Sequence, residues 1–186
     1  MARIGICGAH GTGKSTLCHG LVADLKRQGW DIGLVPEVAR LCPFPLDVDQ
    51  SKGEMNMALL WLMNAQQNAE LETMSRHEHI VCDRTVVDRV AYANIFGEPF
   101  IHSTMIALAT MWLKFYPYSC ILKTPLIDSY MIADRLRNTD ANLQAKTDDA
   151  IAVALKKMDI MYHCLPRERG DECAISIALD SLTELE

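Results

Sequence analysis

The chain lacks any apolar run long enough to cross a bilayer as a helix, which excludes a helical membrane protein. Its glycine-rich motif opens at Gly8, too close to Met1 for a signal peptide to precede it, so the expectation is a cytoplasmic protein. Paired cysteines are missing too. The seven cysteines are odd in number, scattered among apolar neighbours and without a C-x-x-C pair, so they read as buried free thiols rather than disulfides or zinc ligands. The six histidines show no metal-ligand spacing. There is no excess of basic residues: the net charge of −6 argues against a general nucleic-acid binder, while leaving room for a local basic groove. Internal repeats, linkers and low-complexity segments are absent as well, so residues 1–186 are expected to form one domain.

What is present is Gly8-Ala9-His10-Gly11-Thr12-Gly13-Lys14-Ser15, a match to G-x-x-x-x-G-K-[ST]. Arg3 to Cys7 before it reads as a buried strand and Thr16 onward as a helix, the setting in which this motif holds phosphate. Gly8, Gly11 and Gly13 permit a tight turn that aims successive N–H groups at an anion. The helix beginning near Lys14 adds the positive end of its dipole. Lys14 reaches the outer phosphates as a point charge, and the Ser15 hydroxyl is a Mg²⁺ ligand. Gly8, His10, Gly11, Thr12, Gly13, Lys14, Ser15 and Thr16 are therefore the nucleotide-binding candidates, with ATP and Mg²⁺ as cofactors. No motif near the C-terminus distinguishes adenine from guanine.

The helix after the loop is expected over 14–28, with Leu17, Leu21, Val22 and Leu25 on one face and Gly29 as its stop. Asp31 to Val35 reads as a second strand ending at Pro36-Glu37. A strand, loop, helix and strand in succession make a βαβ unit, hence a parallel, helix-covered sheet whose ligands bind at the carboxyl ends of the strands. Glu37 sits at one such end. Residues 41–53 read as an irregular surface loop, and 54–76 as a long helix carrying Trp61, Gln66, Gln67 and Glu70. His79 to Asp83 is a third strand closing on a carboxylate, the Mg²⁺-side arrangement of such folds. Arg84, Thr85, Asp88 and Arg89 follow; acids and arginines alternating there must pair or bind something. Asp88 also suits a helix start. Further helices are expected over 86–94, 101–115 and 142–164, a fourth strand over 118–123 and a last strand over 174–179. The helix over 101–115 either packs in the core or pairs with a second copy of the chain. Between the fourth strand and the next helix, Arg135 and Arg137 fit a lid that clamps a transferring phosphoryl group, since the planar guanidinium binds phosphate oxygens bidentately. The fold class read from this order is α/β: a three-layer P-loop NTPase fold with a parallel sheet of about five strands and a short arginine-bearing lid.

With these residues in view, the chain resembles small P-loop kinases of two neighbouring groups. In the deoxyribonucleoside kinase family a glutamate closes the second strand, an acid–Arg–Ser motif closes the third, and an Arg-x-Arg lid follows the fourth; the corresponding residues here are Val35-Pro36-Glu37, Asp83-Arg84-Thr85 and Arg135-Leu136-Arg137. The compact AAA-type group that includes the ribosylnicotinamide kinase domain also has Pro-Glu-x-Ala-Arg (Pro36 to Arg40), a Gln-x-x-x-Glu helix (Gln66 to Glu70) and an Asp-Arg-x-x-x-Asp element (Asp83 to Asp88). The matches keep their order up to about Asp149. Val38 stands where the deoxynucleoside kinases usually have proline, Met131 where a further lid arginine is common, and the Asp83–Asp88 spacing is one residue shorter.

The resemblance implies that Glu37 is the general base, with Asp83 the other carboxylate in reach of that role. It implies Asp83 and Ser15 at Mg²⁺, Arg84 on the acceptor or the γ-phosphate, and Arg135 and Arg137 on the lid. Lys14 completes the catalytic set, and Glu37, Arg40, Gln66, Arg84 and Asp88 form the acceptor-binding set, Gln66 and Asp88 reading its base or ring. The activity implied is transfer of the γ-phosphate of ATP to a hydroxyl of a nucleoside- or nucleotide-like small molecule. Two alternatives stand beside it: a phage-type kinase acting on hydroxymethylated bases within DNA, and a regulatory P-loop ATPase without an acceptor.

Overall fold

Strand β1 (Arg3–Cys7) is buried along its whole length, so it must be covered on both faces. Its alternation assigns those faces: Ile4 and Ile6 pack in one apolar cluster and Cys7 in another. The structure is a computed structural model that describes residues 1–46, 51–126, 141–168 and 170–183. In it β1 is the central strand of a sheet with β2 (Ile32–Val35), β3 (His79–Asp83), β4 (Cys120–Lys123) and β5 (His163–Cys164), in the order β2-β3-β1-β4-β5. Every pairing is parallel; Ile4 lies opposite Val81 on one side and Cys120 on the other. Helices α1 (Lys14–Arg27) and α6 (Gly170–Thr183) cover one face. Helices α2 (Lys52–Met74), α3 (Val86–Phe96), α4 (Pro99–Phe115) and α5 (Ala141–Lys157) cover the other. This is the five-stranded, three-layer P-loop fold expected. No helix among the described residues is long and apolar enough to cross a membrane.

Two C-terminal elements differ from expectation. Residues 174–179 are not a strand but part of α6, because Ala174, Ala178 and Leu182 recur at helical spacing and bury together against α1. The β-branched pair Ile175 and Ile177 mimicked a strand. The fifth strand is instead His163–Cys164, an exposed two-residue edge too short to carry a periodic signal, and the helix expected to reach Cys164 stops at Lys157. All seven cysteines are free, with Cys7, Cys18, Cys82 and Cys120 buried and Cys164 exposed. The lid arginines Arg135 and Arg137 lie outside the described residues.

Under the helical layer, α2 carries a polar stripe into the core. Glu70 is fully buried and ion-paired with Arg3 of β1. It also accepts hydrogen bonds from the Trp112 indole (3.0 Å) and the Tyr118 hydroxyl (2.7 Å), while the Arg3 guanidinium sits 4.6 Å from the centre of the Tyr118 ring. A buried ion pair adds little net stability, but removing one partner strands the other charge. Glu70→Ala is therefore expected to cost about 3–5 kcal/mol in urea unfolding, and a loss below about 1 kcal/mol would mean Arg3 finds another partner.

Candidate functional site

The carboxyl ends of four parallel strands deliver the site. The loop after β1 turns through Gly8, whose φ of +146° and lack of side chain are both needed: a Cβ there would lie 2.1 Å from Thr124 Oγ1, at the end of β4. Thr124 in turn hydrogen-bonds the Thr12 hydroxyl (2.7 Å) and donates to the Cys7 carbonyl (3.2 Å), so β4 braces the loop from the side. Gln144 of α5 donates to the His10 carbonyl (2.9 Å) and holds the loop's crest. Lys14 opens α1 and is buried; its ammonium folds back on the Ala9 carbonyl and lies 3.3 Å from Thr12 Oγ1. Burial, aided by the nearby Arg84 charge, lowers the Lys14 pKa to about 8 against the opposing pull of Glu37, Asp88 and Asp83.

Ser15 donates to Asp83 Oδ2 at 2.6 Å, joining the first helix to the end of β3. The other oxygen, Oδ1, is buried without a partner. Burial raises the Asp83 pKa, with the Ser15 hydrogen bond partly opposing it. A hydroxyl beside a carboxylate with one free oxygen is a donor set that fits Mg²⁺, which takes few protein ligands and completes its shell with water and phosphate. Among the described residues, no group of three or more His, Cys, Asp or Glu side chains is placed to hold a metal ion.

Arg84 is the hub. Its φ of +84° lies in the left-handed region, and its side chain is buried. Nε donates to Glu37 at the end of β2 (2.7 Å), and Nη1 to the Gly8 carbonyl (3.0 Å) and Asp88 Oδ1 (3.2 Å). Burial works against its charge, but Tyr92, Glu37 and Asp88 more than offset it and the guanidinium stays protonated. For Glu37 burial alone would raise the pKa; the charges of Arg84 and Lys14 and the Arg84 hydrogen bond outweigh it and bring it down to about 2.

Two expected acceptor readers stand elsewhere. Gln66 is fully buried: its amide donates to Glu70 (2.9 Å) and the Arg84 carbonyl (3.1 Å), and its oxygen accepts from Arg89 (3.0 Å). Asp88 is also fully buried and forms a capping box with Thr85 at the start of α3, besides bonding Arg84. Both support Arg84 from behind and neither lines the cavity. Arg40, on the 3₁₀ turn Val38–Leu41, stands exposed at the cavity wall.

That cavity has a volume of about 410 Å³ and runs from the phosphate loop past Glu37 and Arg84 to an apolar end. Its far walls are Met55, Leu59 and Leu62 of α2 and Arg89, Tyr92 and Phe96 of α3. The α3 set recurs at helical spacing after Asp83-Arg84, a signal that was present in the sequence; nothing in the sequence marks Gln144 or Thr124. A second cavity of about 280 Å³ shares Thr12, Gly13 and Thr16 and extends along α1 to Leu165, Arg167 and Asp171. The two meet at the loop.

A family model described as an AAA domain matches residues 3–172. Comparison with curated proteins gives no significant match. Among solved structures, a NadR protein in complex with NR superposes with a TM-score of 0.75 at 15% identity, covering 98% of this chain and 51% of that one. A NadR protein in complex with NAD and AMP-PNP gives 0.71 at 14% identity, with 98% and 49% covered. A deoxyadenosine kinase from M. mycoides with the products dCMP and a flexible dCDP gives 0.63 at 17% identity, with 98% and 99% covered. The chain thus spans about half the length of the NadR structures and nearly all of the deoxyadenosine kinase. At these identities the likeness establishes the shared fold.

Glu37 gives the site a pH signature. A carboxyl held at about 2 in the folded state, against an ordinary 4.5, contributes stability that is fully present above about 4.5 and is lost as the pH falls toward 2. Glu37→Gln should therefore be less stable than the native chain at pH 7, with the gap narrowing at pH 3.5 in matched urea titrations. A gap of constant size would show that Arg84 does not hold Glu37 ionised.

Proposed function

The chain belongs to the AAA domain family, and from that premise we propose that it is an ATP-dependent kinase moving the γ-phosphate to a hydroxyl of a nucleoside- or nucleotide-like acceptor. The observation that carries this reading is the pair of cavities meeting at the phosphate loop, of which the larger holds a carboxylate beside the loop. With phosphates on the loop, the nucleoside of ATP fits the cavity along α1, and the acceptor fits the one lined by Glu37 and Arg84. A regulatory ATPase needs no such second chamber. The NadR protein binds NR and the deoxyadenosine kinase binds deoxynucleotides, so this fold is compatible with nucleoside-type ligands.

In this reading Lys14 leaves the Ala9 carbonyl and pairs with the outer phosphates, whose charge replaces that contact. The Ser15 hydroxyl and Asp83 would hold Mg²⁺, which would supply positive charge to neutralise the transferring phosphate. Glu37 stays ionised throughout the physiological range and is a weak base; it takes the hydroxyl proton late, when the attacking oxygen has become acidic. Arg84 fixes the orientation of Glu37, and the work of the site is positioning and charge neutralisation. Arg135 and Arg137 are proposed to close over the phosphates, and Arg40 to meet the acceptor at the rim.

ADP release with Mg²⁺ and ATP, across nucleosides, nucleoside monophosphates, nicotinamide riboside and DNA with and without hydroxymethyl bases, tests the proposal. The expected result is stimulation by a small acceptor, abolished in Lys14→Ala and lowered about 10²–10⁴-fold in kcat in Glu37→Gln. Stimulation by modified DNA alone would move the acceptor to the polymer, and slow release indifferent to every acceptor would overturn the kinase reading. A further expectation concerns the proton on Lys14. Its pKa of about 8 must rise when phosphates arrive, so ATP binding at pH 8 should take up roughly half a proton. Calorimetry in two buffers of different ionisation enthalpy reads this directly; proton release instead would refute it.

A further inference from the structure

Among the described residues, Arg89 is a buried cation with no carboxylate bonded to it. It sits on α3, 3% exposed, and lines the acceptor cavity. Among the described residues its hydrogen bond is from Nη2 to the Gln66 amide oxygen, a neutral acceptor, and Nε is buried with no partner. The neighbouring cations are differently placed: Arg84 has both Glu37 and Asp88, and Lys14 has the phosphate loop. Burial and the nearby Arg84 charge lower the Arg89 pKa against the opposing pull of Asp88 and Glu37. A buried guanidinium with no carboxylate bonded to it is costly unless something of opposite charge arrives to share it.

We propose that Arg89 anchors the acceptor, and that the acceptor carries an oxyanion, a carboxylate or a phosphate monoester, at the end remote from its reacting hydroxyl. The inference rests on the kinase reading of the cavity. The charges give the acceptor its direction. Glu37 repels an anion from the loop end and receives the hydroxyl there, while Arg89, on the α3 wall of the same cavity, receives the anion. Tyr92 and Phe96, on the same face of α3, and Leu59 and Leu62 of α2 enclose the apolar body between. Gln66 holds the guanidinium through Nη2. A positively charged ring is disfavoured in such a chamber, and a neutral nucleoside leaves Arg89 uncompensated.

Matched acceptors test this. Orotidine differs from uridine by a carboxylate on the base. The 5′-monophosphate of 5-hydroxymethyl-2′-deoxyuridine differs from its nucleoside by a phosphate, the hydroxymethyl group serving as acceptor. The native chain is expected to prefer the anionic member of at least one pair by about tenfold or more in kcat/KM, and which pair responds distinguishes carboxylate from phosphate. Arg89→Met should erase that preference by raising KM for the anionic compound about tenfold relative to its neutral partner. Arg89→Lys should restore part of it. Thermal melting and ATP binding of each variant establish that it is folded.

Calorimetric binding of the same pairs without ATP separates this inference from the activity. An anion preference that disappears in Arg89→Met, with no turnover of any acceptor, would sustain the role of Arg89 and sink the kinase reading. Equal binding of neutral and anionic members, or a preference untouched by Arg89→Met, would overturn the inference whether or not a kinase activity is found.

Discussion

The site depends on one strained, buried cation. Arg84 occupies a left-handed backbone conformation that costs a side-chain-bearing residue on the order of 1–3 kcal/mol, and it takes a full charge out of water as well. Four elements offset those costs. The carboxylate ending β2 bonds Nε, the capping acid of α3 and the carbonyl of Gly8 share Nη1, and the amide of Gln66 on α2 bonds the Arg84 carbonyl. Because all four must be in place at once, forming this cluster fixes the phosphate loop, the candidate base and the acceptor wall relative to one another.

The same cluster is tied to the far side of the sheet. Gln66 bonds Glu70, and Glu70 bonds Arg3, Trp112 and Tyr118, so polar contacts run through the α2 layer from the start of β1 to the ends of β2 and β3. Such a network is high-stakes: fully satisfied it selects one packing, and half-satisfied it is worse than an apolar core. The residues behind the cavity therefore belong to the stability of the fold as much as to its chemistry.

That double role explains what the sequence disclosed. The loop Gly8 to Ser15 was legible because each letter answers a local geometric demand, and Asp83 and Glu37 were legible because strand ends in a parallel sheet face one crevice. Gln66 and Asp88 were noticed as unusual polar residues, but their partners are supplied by tertiary contacts 18 or more residues away or by a local cap, which the pattern cannot separate from a ligand. Thr124 and Gln144 gave no signal at all, since each acts on the loop across more than 100 residues of chain. The last strand was misplaced for a simpler reason: two residues have no period, and the isoleucines of α6 looked more strand-like than the strand.

The acceptor cavity has two kinds of wall. Near the loop, its residues are held by hydrogen bonds that the fold itself requires; at the outer end, Leu59, Leu62 and Phe96 contribute shape and apolar area. Apolar residues of similar volume exchange in such walls at modest cost, whereas the inner residues cannot change singly. The chamber is thus divided into an inherited half and an adaptable half. Under the proposed kinase activity, new acceptors would be recruited by reshaping the mouth while the phosphate chemistry behind it stays untouched, which would make diversification of substrate the easy direction of evolution for this architecture and diversification of reaction the hard one.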